Sequence, residues 1–243
     1  MRTTAVALSV VIPAFNEAAR IGPTLQQLAA HLPTLVPTWE IRVVDDGSTD
    51  DTATVVQDLA RADPTMVLQR EPHRGKGGAV RHGLLAAAGE LRFMCDADLS
   101  MPVTEIGRFL AEVPLGCDIA IGSREGPGAH RVGEPGYRHV MGRVFNQFVK
   151  TLLLGGLHDT QCGFKMFTAT AVDAIFTRTT IDGWAFDIEA LYIARRLGLR
   201  VCELPIEWHY RDQSQVSAVR DSFRMARDVM RIRANGRRGV YER

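Results

Sequence analysis

The chain has 243 residues, 46% hydrophobic and 23% charged, an ordinary make-up for a globular chain that excludes disorder, collagen and coiled coil as whole-chain readings. Lysine plus arginine (29) almost cancels aspartate plus glutamate (28), so the net charge of +1 points to neither a nucleic-acid nor a membrane partner. The sum hides a segregation: from Arg211 to Arg243 nine arginines face four acidic residues, a local +5, which leaves −4 on the preceding 210 residues.

In chain order, strand-like runs at 8–12, 40–44, 66–68, 91–94 and 118–121 alternate with helical patterns near 17–32, 51–62, 76–88 and 103–112. Alternation of this kind implies crossover units and a mostly parallel sheet, hence an α/β fold. Ser48, Thr49 and Asp50 supply N-cap chemistry for the second helix, and Pro102 suits the first turn of the fourth. Residues 122–142, with six glycines and several arginines, read as a long mobile loop. Helices follow near 138–154, 169–177 and 186–197, then a strand near 200–204. The division expected is one catalytic domain over 1–210 and a basic amphipathic C-terminal helix and tail over 211–243.

Cys95, Cys117, Cys162 and Cys202 are widely spaced, without a C-x-x-C pair, and each sits in or beside an apolar stretch. That is unlike a disulfide framework or a zinc site, so a reduced, cytoplasmic protein is expected. Arg2 and the apolar residues up to Ile12 imitate a signal peptide only faintly, and no apolar run reaches the roughly 18 to 20 residues of a spanning helix. Membrane association would therefore be peripheral.

Polar or glycine-rich clusters follow four strand ends: Pro13 to Glu17, Asp45 to Asp50, His73 to Gly78 and Asp96 to Ser100. In open α/β sheets ligands bind outside the carboxyl ends of the strands, so these loops should meet at one site. Asp96-Ala97-Asp98 sets two carboxylates on a strand-end turn, suited to Mg²⁺ or Mn²⁺ shared with a diphosphate, although an Asp-x-Asp is also a plain turn. Asp45-Asp46-Gly47 serves either as a turn or as an acceptor for a base N–H or a ribose hydroxyl. Arg74-Gly75-Lys76-Gly77-Gly78 offers cations and backbone N–H groups to phosphate. Neither a P-loop nor a Gly-x-Gly-x-x-Gly fingerprint is present, which argues against a dinucleotide oxidoreductase.

Taken together, Val10-Val11-Ile12-Pro13-Ala14-Phe15-Asn16-Glu17, Val43-Val44-Asp45-Asp46-Gly47-Ser48-Thr49-Asp50, Arg74-Gly75-Lys76-Gly77 and Asp96-Ala97-Asp98 resemble the family-two glycosyltransferases of GT-A fold. Asp159-Thr160-Gln161-Cys162-Gly163-Phe164-Lys165, Gly183-Trp184-Ala185-Phe186-Asp187-Ile188-Glu189 and Glu203-Leu204-Pro205-Ile206-Glu207-Trp208 narrow the likeness to the dolichyl-phosphate β-glucosyltransferase branch. The resemblance implies that Pro13, Ala14 and Glu17 line a nucleotide pocket and that Asp45 or Asp46 holds uridine. It also implies that Lys76 meets the nucleotide side and that Asp98, with Asp96, holds the metal. Eukaryotic members of that branch begin with a membrane-spanning helix, whereas this chain begins at its first strand.

The reaction so implied is inverting transfer of a hexose, glucose from UDP-glucose, to a polyprenyl phosphate. A lipid phosphate is already largely anionic at neutral pH, with a second pKa near 6, so little proton abstraction is needed. Arg124, Arg131 and Arg138 in the glycine-rich segment, with Lys165, are the candidates for positioning the two anions. Asp187 and Glu189 diverge by about 200° on a helix, so one of them faces the site, and Asp187 is chosen as base or acceptor-orienting group. Rival readings are a soluble glycosyltransferase acting on a small molecule or carbohydrate, and a silent nucleotide-sugar-binding module.

In the tail, Arg220, Arg224, Arg227 and Arg231 form one helical stripe beside an apolar stripe of Val216, Val219, Phe223, Ala226 and Met230. Residues 216–234 would either lie on a membrane surface or pack on the domain. Nucleic acid is not expected, because no aromatic residues interleave with the arginines.

Overall fold

The structure, a computed structural model, describes residues 5–210 and 218–242. Its centre is a seven-stranded sheet built from β1 (Leu8–Ala14), β2 (Trp39–Asp45), β3 (Met66–Arg70), β4 (Leu91–Met94), β5 (Ile119–Ser123), β7 (Lys165–Thr168) and β8 (Val201–Pro205). The spatial order is β3-β2-β1-β4-β7-β5-β8. All neighbours are parallel except β7, which runs antiparallel to both β4 and β5. A separate parallel ribbon pairs β6 (His130–Val132) with β9 (Glu207–His209).

All seven residues of β1 are buried, as expected for a parallel strand covered on both faces. Alternation divides its side chains. Val10 and Ile12 join Ile21, Leu25 and Leu28 of α1 (Ala18–His31), Val56 of α2 (Thr52–Ala62) and Phe109 of α4 (Ile106–Glu112). Val11 joins Val80 and Leu84 of α3 (Lys76–Ala86), Val172 of α6 (Ala169–Phe176) and Ile188 and Leu191 of α7 (Phe186–Arg196) on the other face. Gly83 lets α3 press onto the sheet, since a Cβ there would stand 2.6 Å from both Val11 and Val44.

Three sequence expectations need correction. The segment 122–142 is only partly loop: β5 runs to Ser123, β6 follows, and α5 (Gly136–Leu152) begins at Gly136. The short strands β6, β7 and β9 are additions to the expected set. The cysteines are not all unpaired: Cys117, just before β5, is bridged to Cys202 on β8, while Cys95 and Cys162 are free and buried. The two partners are 85 residues apart in sequence but stand on neighbouring strands, with Cα atoms 6.0 Å apart.

The last helix, α8 (Ala218–Arg237), packs against α5 and α7. Its docking line is Met225, Val229 and Ile232, all buried. Phe223 and Met230, from the stripe expected to form the apolar face, are 77% and 50% exposed. Val216 lies outside the described residues, as do the side chains of Val219 and Arg220. Among the described residues no helix is long and apolar enough to cross a membrane.

Candidate functional site

Strand order reverses beside β1, whose neighbours β2 and β4 lead in opposite directions, and a crevice is expected outside their carboxyl ends. The loops after β1 and β2 are stitched together there. Asn16, with φ of +54°, takes the Thr49 N–H on its side-chain oxygen at 2.9 Å. The Glu17 N–H donates to Thr52 Oγ1 at 2.8 Å, and the Ala18 N–H to Asp50 Oδ2 at 3.1 Å. Pro13 and Ala14 end β1 in the buried wall of this corner, and Phe15 stacks on His73 with ring centroids 4.3 Å apart.

Asp45 and Asp46 are both buried but differ in what they hold. Asp46 accepts the backbone N–H groups of Arg74 and Gly75, each at 2.9 Å, with His73 Nδ1 at the same distance from Oδ2. Asp45 accepts one N–H, from Ser48 at 3.0 Å, on Oδ1. Its Oδ2 is buried without a hydrogen-bond partner, with only Arg70 Nε at 3.5 Å. Asp46 thus builds the 73–75 loop, while Asp45 keeps an acceptor to spare.

The carboxylates after β4 face Lys76. Lys76, at the start of α3, reaches Asp96 Oδ1 at 2.5 Å and lies 5.5 Å from the centre of the Trp184 ring. Burial works to lower its pKa, but Asp96, Asp187 and Asp98 together hold the ammonium above its usual value. Asp98 Oδ1 accepts the N–H and the hydroxyl of Ser100, at 3.0 and 2.9 Å. Glu17 belongs to the same field: burial raises its pKa against the nearby Arg20, and Asp98 and Asp96 add to the rise. Gly163 closes the turn from behind, because a Cβ there would lie 2.0 Å from Asp96 Oδ2.

Lys165 reaches the site because β7 runs antiparallel, which sets its first residue opposite Met94 and Ile121, near the carboxyl ends of β4 and β5. It is 1% exposed and donates to Asp187 Oδ1 at 2.6 Å and to the Cys162 carbonyl. Burial raises the Asp187 pKa, and Lys165 and Lys76 oppose it. Glu189 turns the other way, into the protein, where Thr180 N–H and hydroxyl, Ile181 N–H and the Tyr241 hydroxyl all donate to it.

Arg124 and Arg131 are both engaged. Arg124 forms a two-pronged pair with Asp159, Nε to Oδ2 at 2.7 Å and Nη2 to Oδ1 at 3.0 Å. Arg131 binds Glu134 at 2.6 Å and Glu125 at 2.8 Å, and both guanidinium groups lie within 6 Å of the Trp208 ring centre, at 5.5 and 5.8 Å. Arg138 lies in α5, and its side chain is outside the described set.

A divalent cation fits this donor set. Among the described residues no three potential ligands converge, and Mg²⁺ characteristically takes one or two carboxylates and completes its shell with water and substrate phosphate. Asp96 and Asp98 supply that number. Sequence reasoning did not single out His73, Ser100, Gly163 or Trp184 as contributors. Gly163 and Trp184 lie inside quoted motifs, whereas His73 and Ser100 carry no signal beyond their strand-end loops.

Residues 9–176 match glycosyl transferase family 2. Dolichyl-phosphate beta-glucosyltransferase of Dictyostelium discoideum is 34% identical over 251 residues, covering 97% of this chain and 76% of that protein. The enzyme of the same name from Homo sapiens is 31% identical, over 96% and 77%. Among solved structures, glucosyl-3-phosphoglycerate synthase from Mycobacterium tuberculosis, in complex with Mn²⁺, UDP-glucose and phosphoglyceric acid, superposes with a TM-score of 0.69 at 22% identity, covering 96% of this chain and 80% of that one. Mannosyl-3-phosphoglycerate synthase from Rubrobacter xylanophilus gives 0.69 at 21%, over 98% and 75%. At such identities the structures speak for the fold, which is the expected GT-A arrangement.

Proposed function

The chain belongs to glycosyl transferase family 2, and from that premise we propose that it transfers glucose from UDP-glucose, with inversion, to a polyprenyl phosphate of the dolichyl type. The observation that carries the reading is the placement of Asp45, with a spare acceptor, at the carboxyl end of β2 and of Asp96 and Asp98, countered by Lys76, just beyond that of β4, on either side of β1. Uracil presents an N3–H donor that suits Asp45 Oδ2 once the exposed Arg70 side chain beside that oxygen swings aside, in the corner floored by Pro13 and Ala14 and flanked by Phe15.

Mg²⁺ or Mn²⁺ held by Asp98 and Asp96 would supply charge stabilisation for the leaving diphosphate. Lys76, already held in their field, turns part of its charge to the same diphosphate. Asp187 fixes the Lys165 ammonium on the acceptor side, so the pair orients the incoming phosphate. With an acceptor already anionic, orientation matters more than proton removal. Arg131, on the ribbon whose β9 strand bonds the Asp98 turn, exchanges a glutamate for the acceptor phosphate, and Arg138 remains a candidate for the same phosphate. Arg124, clasped on both guanidinium prongs by Asp159, stays in the frame. An acceptor of this class resides in a membrane, so the protein works at a membrane surface.

A thermal-shift panel of nucleotide sugars, each with and without Mn²⁺, tests the donor. A ligand at 100 times its dissociation constant adds about 2.7 kcal/mol. UDP-glucose with metal should give the largest shift. A larger shift with GDP-mannose, or none with any nucleotide sugar, would overturn the reading.

A further inference from the structure

We infer that α5 and α8 together form a docking face for an anionic lipid bilayer. The inference rests on the lipid-acceptor reading for its purpose, but the observations under it are separate from the donor pocket.

Helix α5 turns Val149 into the core and leaves Tyr137, Val140 and Val144 more than half exposed, at 62%, 60% and 67%. Met141 and Phe148 stand beside them, each over a third exposed. At about 100° per residue these five fall within an arc of about 100°, a stripe some 16 Å long at about 1.5 Å per residue. Arg143 and Lys150 border it on one side by the same geometry.

Helix α8 repeats the arrangement. Opposite its docked line of Met225, Val229 and Ile232, Phe223 and Met230 face outward. Arg224, Arg227 and Arg231 stand next to them, all exposed, and the Arg227 side chain is 81% accessible. The acidic residue among them, Asp228, is only 16% accessible. The two helices pack on each other, which places the two stripes on neighbouring elements. Monomeric soluble proteins rarely expose contiguous apolar surface of this kind.

The charge chooses the occupant. Apolar side chains flanked by arginines suit the boundary between acyl chains and anionic headgroups, where the stripe sinks in and each cation meets phosphate. Placement agrees with this. Helix α5 leaves the β6–β9 ribbon from its β6 strand, and the His209 N–H at the end of β9 bonds the Ser100 carbonyl at 2.7 Å, in the turn that carries Asp98. A lipid whose phosphate lies at that turn can keep its hydrocarbon chain in a bilayer pressed against α5 and α8.

Co-sedimentation of the full chain with phosphatidylcholine vesicles, with and without phosphatidylglycerol, tests the face in the absence of donor and acceptor. The wild type should bind the anionic vesicles more tightly. Val140→Asp combined with Val144→Asp should weaken binding to both vesicle types on the order of 100-fold. Arg227→Gln with Arg231→Gln should weaken binding to the anionic vesicles alone by roughly 25-fold. UDP-glucose thermal shifts should be unchanged in every variant, which shows that the fold survives. No binding to either vesicle, or full binding by the double aspartate variant, would overturn the proposal. So would a concentration-dependent dimer that Val144→Asp breaks while vesicles are ignored. Vesicle binding without sugar transfer would sink the acceptor reading and leave the docking face standing.

Discussion

Asp45 and Asp46 are consecutive, and the chain around them divides their work. Sequence alone left either as the uridine carboxylate, because it cannot show which oxygens are already occupied. The division is set 28 residues downstream, where the N–H groups of Arg74 and Gly75 saturate Asp46. Asp45→Ala should therefore weaken UDP binding by roughly 10- to 150-fold, the loss of one hydrogen bond to a charged group, at a smaller stability cost than Asp46→Ala because it strands one backbone donor, the Ser48 N–H, rather than two. Asp46→Ala should instead lower stability by about 1 to 3 kcal/mol, since it strands two backbone donors. Isothermal titration with UDP and urea unfolding separate the two, and equal effects on both readouts would contradict the assignment. A pair such as Lys165 and Asp187 was legible as chemistry but not as geometry. Only the reversed direction of β7 brings the lysine to the carboxyl ends of the parallel strands.

At the scale of elements, the long periodic segments could be read directly: β1, β2 and helices α1, α2, α3 and α7 fall within a few residues of their expected places. The three short strands could not, since β6 and β9 have three residues each and β7 four, too few to show a period. Where glycines and arginines suggested a mobile loop, ion pairs hold the chain instead. Burial works to raise the Asp159 carboxyl, but the Arg124 guanidinium, with N–H groups of Arg124 and Gln161, holds it well below the usual aspartate range. A carboxyl whose folded pKa is depressed contributes stability that is present above the unfolded pKa and is lost as pH falls through the folded one. Urea unfolding from pH 7 downward should show the wild type losing stability below about pH 4. Asp159→Asn should already be less stable at pH 7 by about 3 to 5 kcal/mol, with a shallower acid loss. Parallel curves would show that the pair does not set the acid limb.

Across the whole molecule, the charge segregation seen in the sequence acquires a place. The −4 body carries the carboxylates around the donor site, and the +5 tail includes the arginines of α8. The tail pattern was visible in sequence, but its docking face was not. Helix α8 has apolar residues on two sides, and the core selects Met225, Val229 and Ile232 over Phe223 and Met230. The sulfur chemistry was hidden for a related reason: β5 and β8 become neighbours only when the sheet assembles. Alkylation of the denatured protein before reduction should label two thiols, Cys95 and Cys162. Labelling of all four cysteines would restore the reduced state first expected and remove the Cys117–Cys202 link. Family, fold and site are tested together by transfer of radiolabel from UDP-glucose to polyprenyl phosphate with Mn²⁺, in the wild type and in Asp98→Ala. Labelled lipid is expected from the wild type, with a loss on the order of 100-fold or more in the variant. No labelled lipid from the wild type, or full activity in Asp98→Ala, would contradict it.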